Sequence, residues 1–191
     1  MRRVVYIAAG VAVAAALITC VVPALGQSGG DATPIYGIKL PAGYRDWPVI
    51  SIASVGPPQN DLRVKMGNAT AMQAFRDGSR PFPDGTIIAR LAYQRTTSAE
   101  NNAVLGPFAA KLGLSPEQVE KLLSESYVAG APINVQFMVK DRAKYPATGG
   151  WGFAEFTDGK PDGEAVHKTC FACHAPAKDR DFVFTRYAPT P

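Results

Sequence analysis

The 191-residue sequence predicts a β-rich α+β domain, an antiparallel sheet of about five strands packed with a few helices. Three observations predict it. Alternating or β-branched runs recur through the middle of the chain, as VISIASV, TIIARLAYQ, INVQFMVK and WGFAEF. Eighteen Gly and sixteen Pro break the chain into short pieces and leave no room for a long helical rod. A hydrophobic content of 47% is enough for a true core and excludes a wholly disordered chain. Collagen-like, coiled-coil and multi-span membrane readings are excluded by the same composition.

Residues 1–26 read as a signal peptide. Met1-Arg2-Arg3 is a basic start, Val4 to Val22 is almost wholly apolar, and Pro23-Ala24-Leu25-Gly26 offers small residues for a cut before Gln27. An uncleaved leader of this length would instead anchor the protein in a membrane. A lipoprotein cut before Cys20 is the third reading, although Thr19 is bulky for it. All three put the folded part outside the cytoplasm, and the expected compartment is the periplasm. Cleavage removes Arg2 and Arg3 from a chain of net charge +4. No basic stripe remains, so nucleic acid is not an expected partner.

Residues 27–43, rich in Gly, Pro and Ala, read as a linker or arm that orders on contact, and 44–191 as the folded domain. Arg45 to Val55 alternates loosely as a strand, and Leu62 to Met66 is a shorter one. Asn68 caps a short helix, Ala69 to Arg76, closed near Gly78. Pro81 to Gly85 is a turn, and Thr86 to Gln94 the clearest strand. Residues 96–113 read as irregular. Ser115-Pro116-Glu117-Gln118 starts a helix with a capping box.

Ile133 to Lys140 alternates as a half-buried strand, and Trp151 to Phe156 puts Trp151, Phe153 and Glu155 on one face. Asp158-Gly159-Lys160-Pro161 is a hairpin-type turn. Asp162 to His174 reads as a C-terminal helix, and Phe182 to Tyr187 as a last strand.

The C-terminal helix carries Cys170-Phe171-Ala172-Cys173-His174, the C-x-x-C-H attachment signature of c-type haem. On one helical turn two Cys reach the two vinyl groups of a single porphyrin. The next residue then offers an imidazole to the iron. Thioether bonds would consume both thiols of the mature chain, which accounts for two Cys three apart in an oxidising compartment. A redox pair is expected between a strand and helix of an α/β domain, and a zinc site needs more ligands.

His167 lies seven residues before His174, about 10.5 Å along a helix, so the two cannot flank one iron. His167 is expected at the surface or the haem edge. Met66, Met72 and Met138 are candidate sixth ligands, though packing explains each as well. The expectation is a five-coordinate iron, open to NO, CO, hydroxylamine or peroxide.

Four stretches carry a family likeness: DWPVISIAS at 46–54, FPDGTIIARL at 82–91, VKDRAKYPATGGWGFAEF at 139–156, and the haem motif with FVFTRYAP at 182–189. In this order they resemble the cytochrome P-460 family, which includes the cytochromes c′-beta. The resemblance implies a β-rich, typically dimeric monohaem fold with an iron open on its distal side. It also implies one of two activities, NO binding or hydroxylamine oxidation with electrons passed to a partner cytochrome. In the enzymes a Lys on the strand after the FPDGT-like turn is cross-linked to the haem. Arg90 stands at the aligned position here, and a guanidinium is a poor nucleophile. Arg90 is instead expected to pair with a haem propionate. Lys65 and Lys140 are the other candidate cross-linkers. Glu155 is the candidate proton relay. Phe82, Phe137 and Phe153 are candidates for an apolar distal cap. A plain electron carrier with Met ligation is the remaining alternative.

Overall fold

The computed structural model describes residues 30–188. The leader, with Cys20, lies outside the described residues. Six strands form one antiparallel meander in chain order: β1 (Val49–Val55), β2 (Asp61–Gly67), β3 (Ile87–Thr96), β4 (Val128–Lys140), β5 (Trp151–Thr157) and β6 (Lys160–Pro161). Helix α1 (Ala69–Asp77) joins β2 to β3. A helical pair, α2 (Ala99–Lys111) and α3 (Pro116–Ser124), joins β3 to β4, and α4 (Glu164–His174) follows β6. The architecture is therefore α+β, with one strand more than expected. The extra strand is short. Asp158 and Gly159, both at positive φ, turn β5 back on itself so that Thr157 pairs with Lys160.

The caps explain the helix starts. Asn68 Oδ1 accepts from the Ala71 N–H at 2.9 Å and also from Ile87 N–H at 3.1 Å, so one side chain starts α1 and fastens it to β3. Ser115 and Gln118 form the expected capping box on α3.

Three expectations for the chain path change. Residues 96–113 are not irregular: Ser98 accepts from Asn101 N–H at 3.1 Å and starts α2, which runs through Gly106 and Pro107. Gly106 faces α3 across the helical pair, where a Cβ would meet Leu123 at 3.4 Å in ordinary contact. Strand β4 begins five residues early, at Val128. It accommodates Gly130 and Pro132 because the ladder is irregular around Tyr93, where Pro132 pairs. Phe182 to Tyr187 is not a strand. Asp181 and Phe182 take positive φ in succession (53° and 63°), which extended pairing does not permit, and Ala188 N–H alone reaches Ile50 O.

The expected arm is packed from Thr33 onward. Thr33, Tyr36 and Ile38 are buried, and the Tyr36 ring meets those of Tyr145 and Phe153 edge-on. On one sheet face Phe137 packs among Tyr44, Trp47 and Phe156. The other face carries the site.

Candidate haem site

Register places the polar residues of the site in one row. Lys65 of β2 lies opposite Arg90 of β3, Arg90 opposite Gln136 of β4, and Gln136 opposite Glu155 of β5. Residues directly opposite across a ladder share a face, so this row forms a polar wall. Phe153 flanks it on β5 and Asn134 on β4. Arg90 donates to Asn134 Oδ1 at 2.8 Å, and Asn134 Nδ2 donates to Glu155 Oε1 at 2.6 Å. Gln136 Nε2 donates to the other oxygen, Oε2. The two residues singled out in sequence, Arg90 and Glu155, are thus joined through Asn134. Asn134 and Gln136 were not foreseen as site residues. Their positions as polar members of an alternating strand were the available signal.

Helix α4 packs over β5 and brings the C-x-x-C-H residues to this wall. Gln136, Phe153, Glu155, Cys170, Cys173 and His174 line a cavity of about 140 Å³ between helix and sheet. Cys170 is half-buried and Cys173 exposed, and both are free thiols. Burial, with Glu155 and Cys173 nearby, pushes the Cys170 thiol up to about 11. The thiol therefore stays protonated at neutral pH.

His174 donates from Nδ1 to the Phe182 carbonyl at 2.8 Å. That bond selects the tautomer and leaves Nε2 with its lone pair free for a metal. Burial lowers the pKa of His174; the Phe182 carbonyl opposes the shift and the Arg90 charge adds to it. The net effect keeps the ring neutral. The ring is wedged between Phe153 (5.0 Å between centroids) and Phe184 (5.4 Å).

His167 is neither at the surface nor free. It is fully buried, with Nε2 accepting from Glu155 N–H at 3.1 Å and Nδ1 donating to Gly163 O at 3.0 Å. Glu155 sits one residue beyond the β5–β6 ladder, so its outward N–H needs a partner, and an imidazole from α4 supplies it. With both ring nitrogens engaged, His167 has none to offer an iron.

Phe82, Phe137 and Phe153 do not assemble into a cap. Phe82 meets Phe75 and Trp151 edge-on under the Arg80 guanidinium, and Phe137 points to the opposite sheet face. Only Phe153 reaches the site, and it does so beside His174. Met66, Met72 and Met138 are all buried in the hydrophobic core. Lys140 is not an available cross-linker, because it is 2% exposed and ion-paired with Asp181 at 2.8 Å. Lys65 remains on the polar wall. Burial lowers its pKa, and the charges of Arg63 and Arg90 lower it further.

The residues present fit a haem. Two free thiols stand one helical turn apart, and the adjacent imidazole presents an unengaged Nε2. Arg90 also keeps a buried Nε without a hydrogen-bond partner among the described residues, a donor suited to a carboxylate group. Fold and site together define a haem-binding cytochrome built on an antiparallel sheet. The chain belongs to the cytochrome P-460 family, whose family model matches residues 41–185. Comparison with curated proteins returns no match.

Proposed function

We propose that this protein is a periplasmic monohaem c-type cytochrome whose five-coordinate iron binds NO or a related small nitrogen ligand, hydroxylamine and CO being the other candidates. The observation that carries the reading is the division of labour between the two histidines. His174 has one ring nitrogen anchored and the other free, whereas His167 has both engaged. Among the described residues the chain thus offers one imidazole that could hold an iron, which supports an iron left open to an external ligand. The bound haem supplies an iron that takes such a ligand and exchanges one electron. Cys170 and Cys173 tether the haem through thioethers, and His174 Nε2 binds the iron. Arg90 pairs with a propionate through its spare Nε. A homodimer, a role in sensing, storage or detoxification, and an exported location complete the reading.

A second reading, hydroxylamine oxidation with electrons leaving to a partner cytochrome, is favoured by two observations. Lys65 stands beside Arg90 on the polar wall with its pKa lowered, which raises the share of nucleophilic amine suited to a haem cross-link. Glu155, held by two amide donors, is a carboxylate positioned to take substrate protons.

The test is the ultraviolet-visible spectrum of the purified protein, ferric and ferrous, with and without NO. A high-spin c-type spectrum that shifts with NO is expected. A broadened, red-shifted Soret band that survives denaturation, and is lost in Lys65→Arg, would move the assignment to the enzyme. A low-spin ferrous spectrum indifferent to NO would refute the open iron.

A further inference from the structure

We propose that the buried ion pair of Lys140 and Asp181 is a positioning device for the iron-binding histidine, setting the hydrogen bond from His174 Nδ1–H to the Phe182 carbonyl. The proposal rests on ligation of iron by His174.

Lys140 is the last residue of β4 and is almost fully buried. Its ammonium donates to Asp181 Oδ1 at 2.8 Å, Asp181 Oδ2 at 3.0 Å and Gly149 O at 3.0 Å, and lies 4.9 Å from the Trp151 ring centre. Asp181 Oδ2 also accepts from Phe82 N–H at 2.8 Å. Asp181 is therefore tied both to the end of β4 and to the turn before β3. Its backbone is left-handed, a conformation Asp tolerates better than most residues. The next residue is Phe182, whose carbonyl receives the His174 proton.

Phe182 is fastened as well. Its N–H reaches Ala177 O at 2.8 Å. Its ring fills the space where any Cβ on Gly149 would stand, and Gly149 is itself left-handed at φ 67°. The same Gly149 offers its carbonyl to Lys140. The ammonium thus holds both walls of the slot that fixes Phe182, and the acceptor of the histidine proton has little room to move.

This matters chemically because a metal-ligating imidazole becomes a stronger donor as its distal N–H is more firmly hydrogen-bonded. A stronger donor strengthens the iron–nitrogen bond and favours ferric over ferrous iron. A buried ion pair is weak evidence of stabilisation in itself, since neutral groups of similar volume often serve the fold as well. A role in orientation explains why the charge is placed next to Phe182.

The test compares haem-loaded wild type with Lys140→Met/Asp181→Asn, which removes both charges together and suits the left-handed position. The iron–histidine stretching band of the ferrous protein, read by resonance Raman, and the reduction potential are measured. A downward shift of the band with an upward shift of the potential is expected. A folded, haem-loaded double variant with both quantities unchanged overturns the proposal. Asp181→Asn alone should shift both in the same sense, and provides the readout if the double variant does not accumulate. Phe156→Leu, on the opposite sheet face, should lower the melting temperature and leave the band in place. A shift of equal size there would attribute the effect to general loosening and overturn the proposal. His174→Gly separates the two layers. A band that survives it refutes the ligation, and a band lost there but unmoved in the double variant refutes only the positioning role.

Discussion

Replacing His167 by Leu tests whether α4 is fastened to the sheet by an imidazole acting as a backbone partner. The side chain is fully buried and bridges Glu155 N–H on β5 and Gly163 O at the start of α4. Leucine preserves apolar volume and loses both bonds. Gly163 O still receives Val166 N–H at 3.2 Å, so it is not stranded. Glu155 N–H has no such substitute, and an orphaned buried donor costs about 1–3 kcal/mol. Transfer of the leucine methyls into the core returns part of that. We expect a net loss of about 2 kcal/mol, or roughly 4–8 °C of melting temperature for a domain of this size.

His167→Gln places an amide oxygen near the position of Nε2 and should recover the Glu155 bond, at a cost of about 1 kcal/mol. Urea unfolding followed by far-ultraviolet circular dichroism, on haem-loaded protein, gives both values. A Leu variant within about 0.5 kcal/mol of wild type, or a Gln variant no better than Leu, would refute the bridging role.

Three further outcomes are expected. Asn134→Ala should uncouple Arg90 from Glu155. A double-mutant cycle between Arg90→Ala and Glu155→Gln, measured by denaturation, should show a coupling of about 0.5–1 kcal/mol in wild type that collapses in the Asn134→Ala background. Cys170 should alkylate at least tenfold more slowly than exposed Cys173 in folded, haem-free chain at pH 8. A thiol pKa near 11 leaves only about a thousandth as thiolate there, and its rate should climb about tenfold per pH unit until pH approaches 11. Mass-mapped iodoacetamide labelling reads both. Phe153→Ala removes a buried ring that touches Tyr36, Phe171 and His174, and should cost about 3–5 kcal/mol in thermal denaturation.

Much of the site was legible in sequence because its chemistry is local. Cys170, Cys173 and His174 fall within one helical turn, so spacing alone places their side chains together. Alternation likewise put Glu155 with Phe153 and Trp151, since a strand has a fixed two-residue period. What was not legible depends on strand register. Arg90, Gln136 and Glu155 are far apart in the chain, and only the ladders β3–β4 and β4–β5 set them in one row. The same limit explains the distal cap that does not form. Phe137 and Phe153 both read as inward residues, but Phe137 lies opposite Ala154, and so on the far face from Phe153.

Local signals also yielded where a distant contact was stronger. Residues 96–113 read as irregular, but they form α2, which runs through Gly106 and Pro107 and packs on α3. FVFTRY reads as a strand by propensity. Yet the left-handed turn at Asp181 and Phe182 leads the chain away from a ladder, and the Phe182 carbonyl accepts from His174 instead. His167 reads as a surface or haem-edge histidine, and only the folded chain reveals an N–H on β5 for it to serve. By itself the sequence determined the helix that carries C-x-x-C-H, the Asn68 and Ser115 caps and the β-rich class, because these follow from neighbours a few residues apart. The tertiary structure decided which residues surround His174 and what holds its ring, because those contacts join side chains whose separation in the chain says nothing of their distance in space.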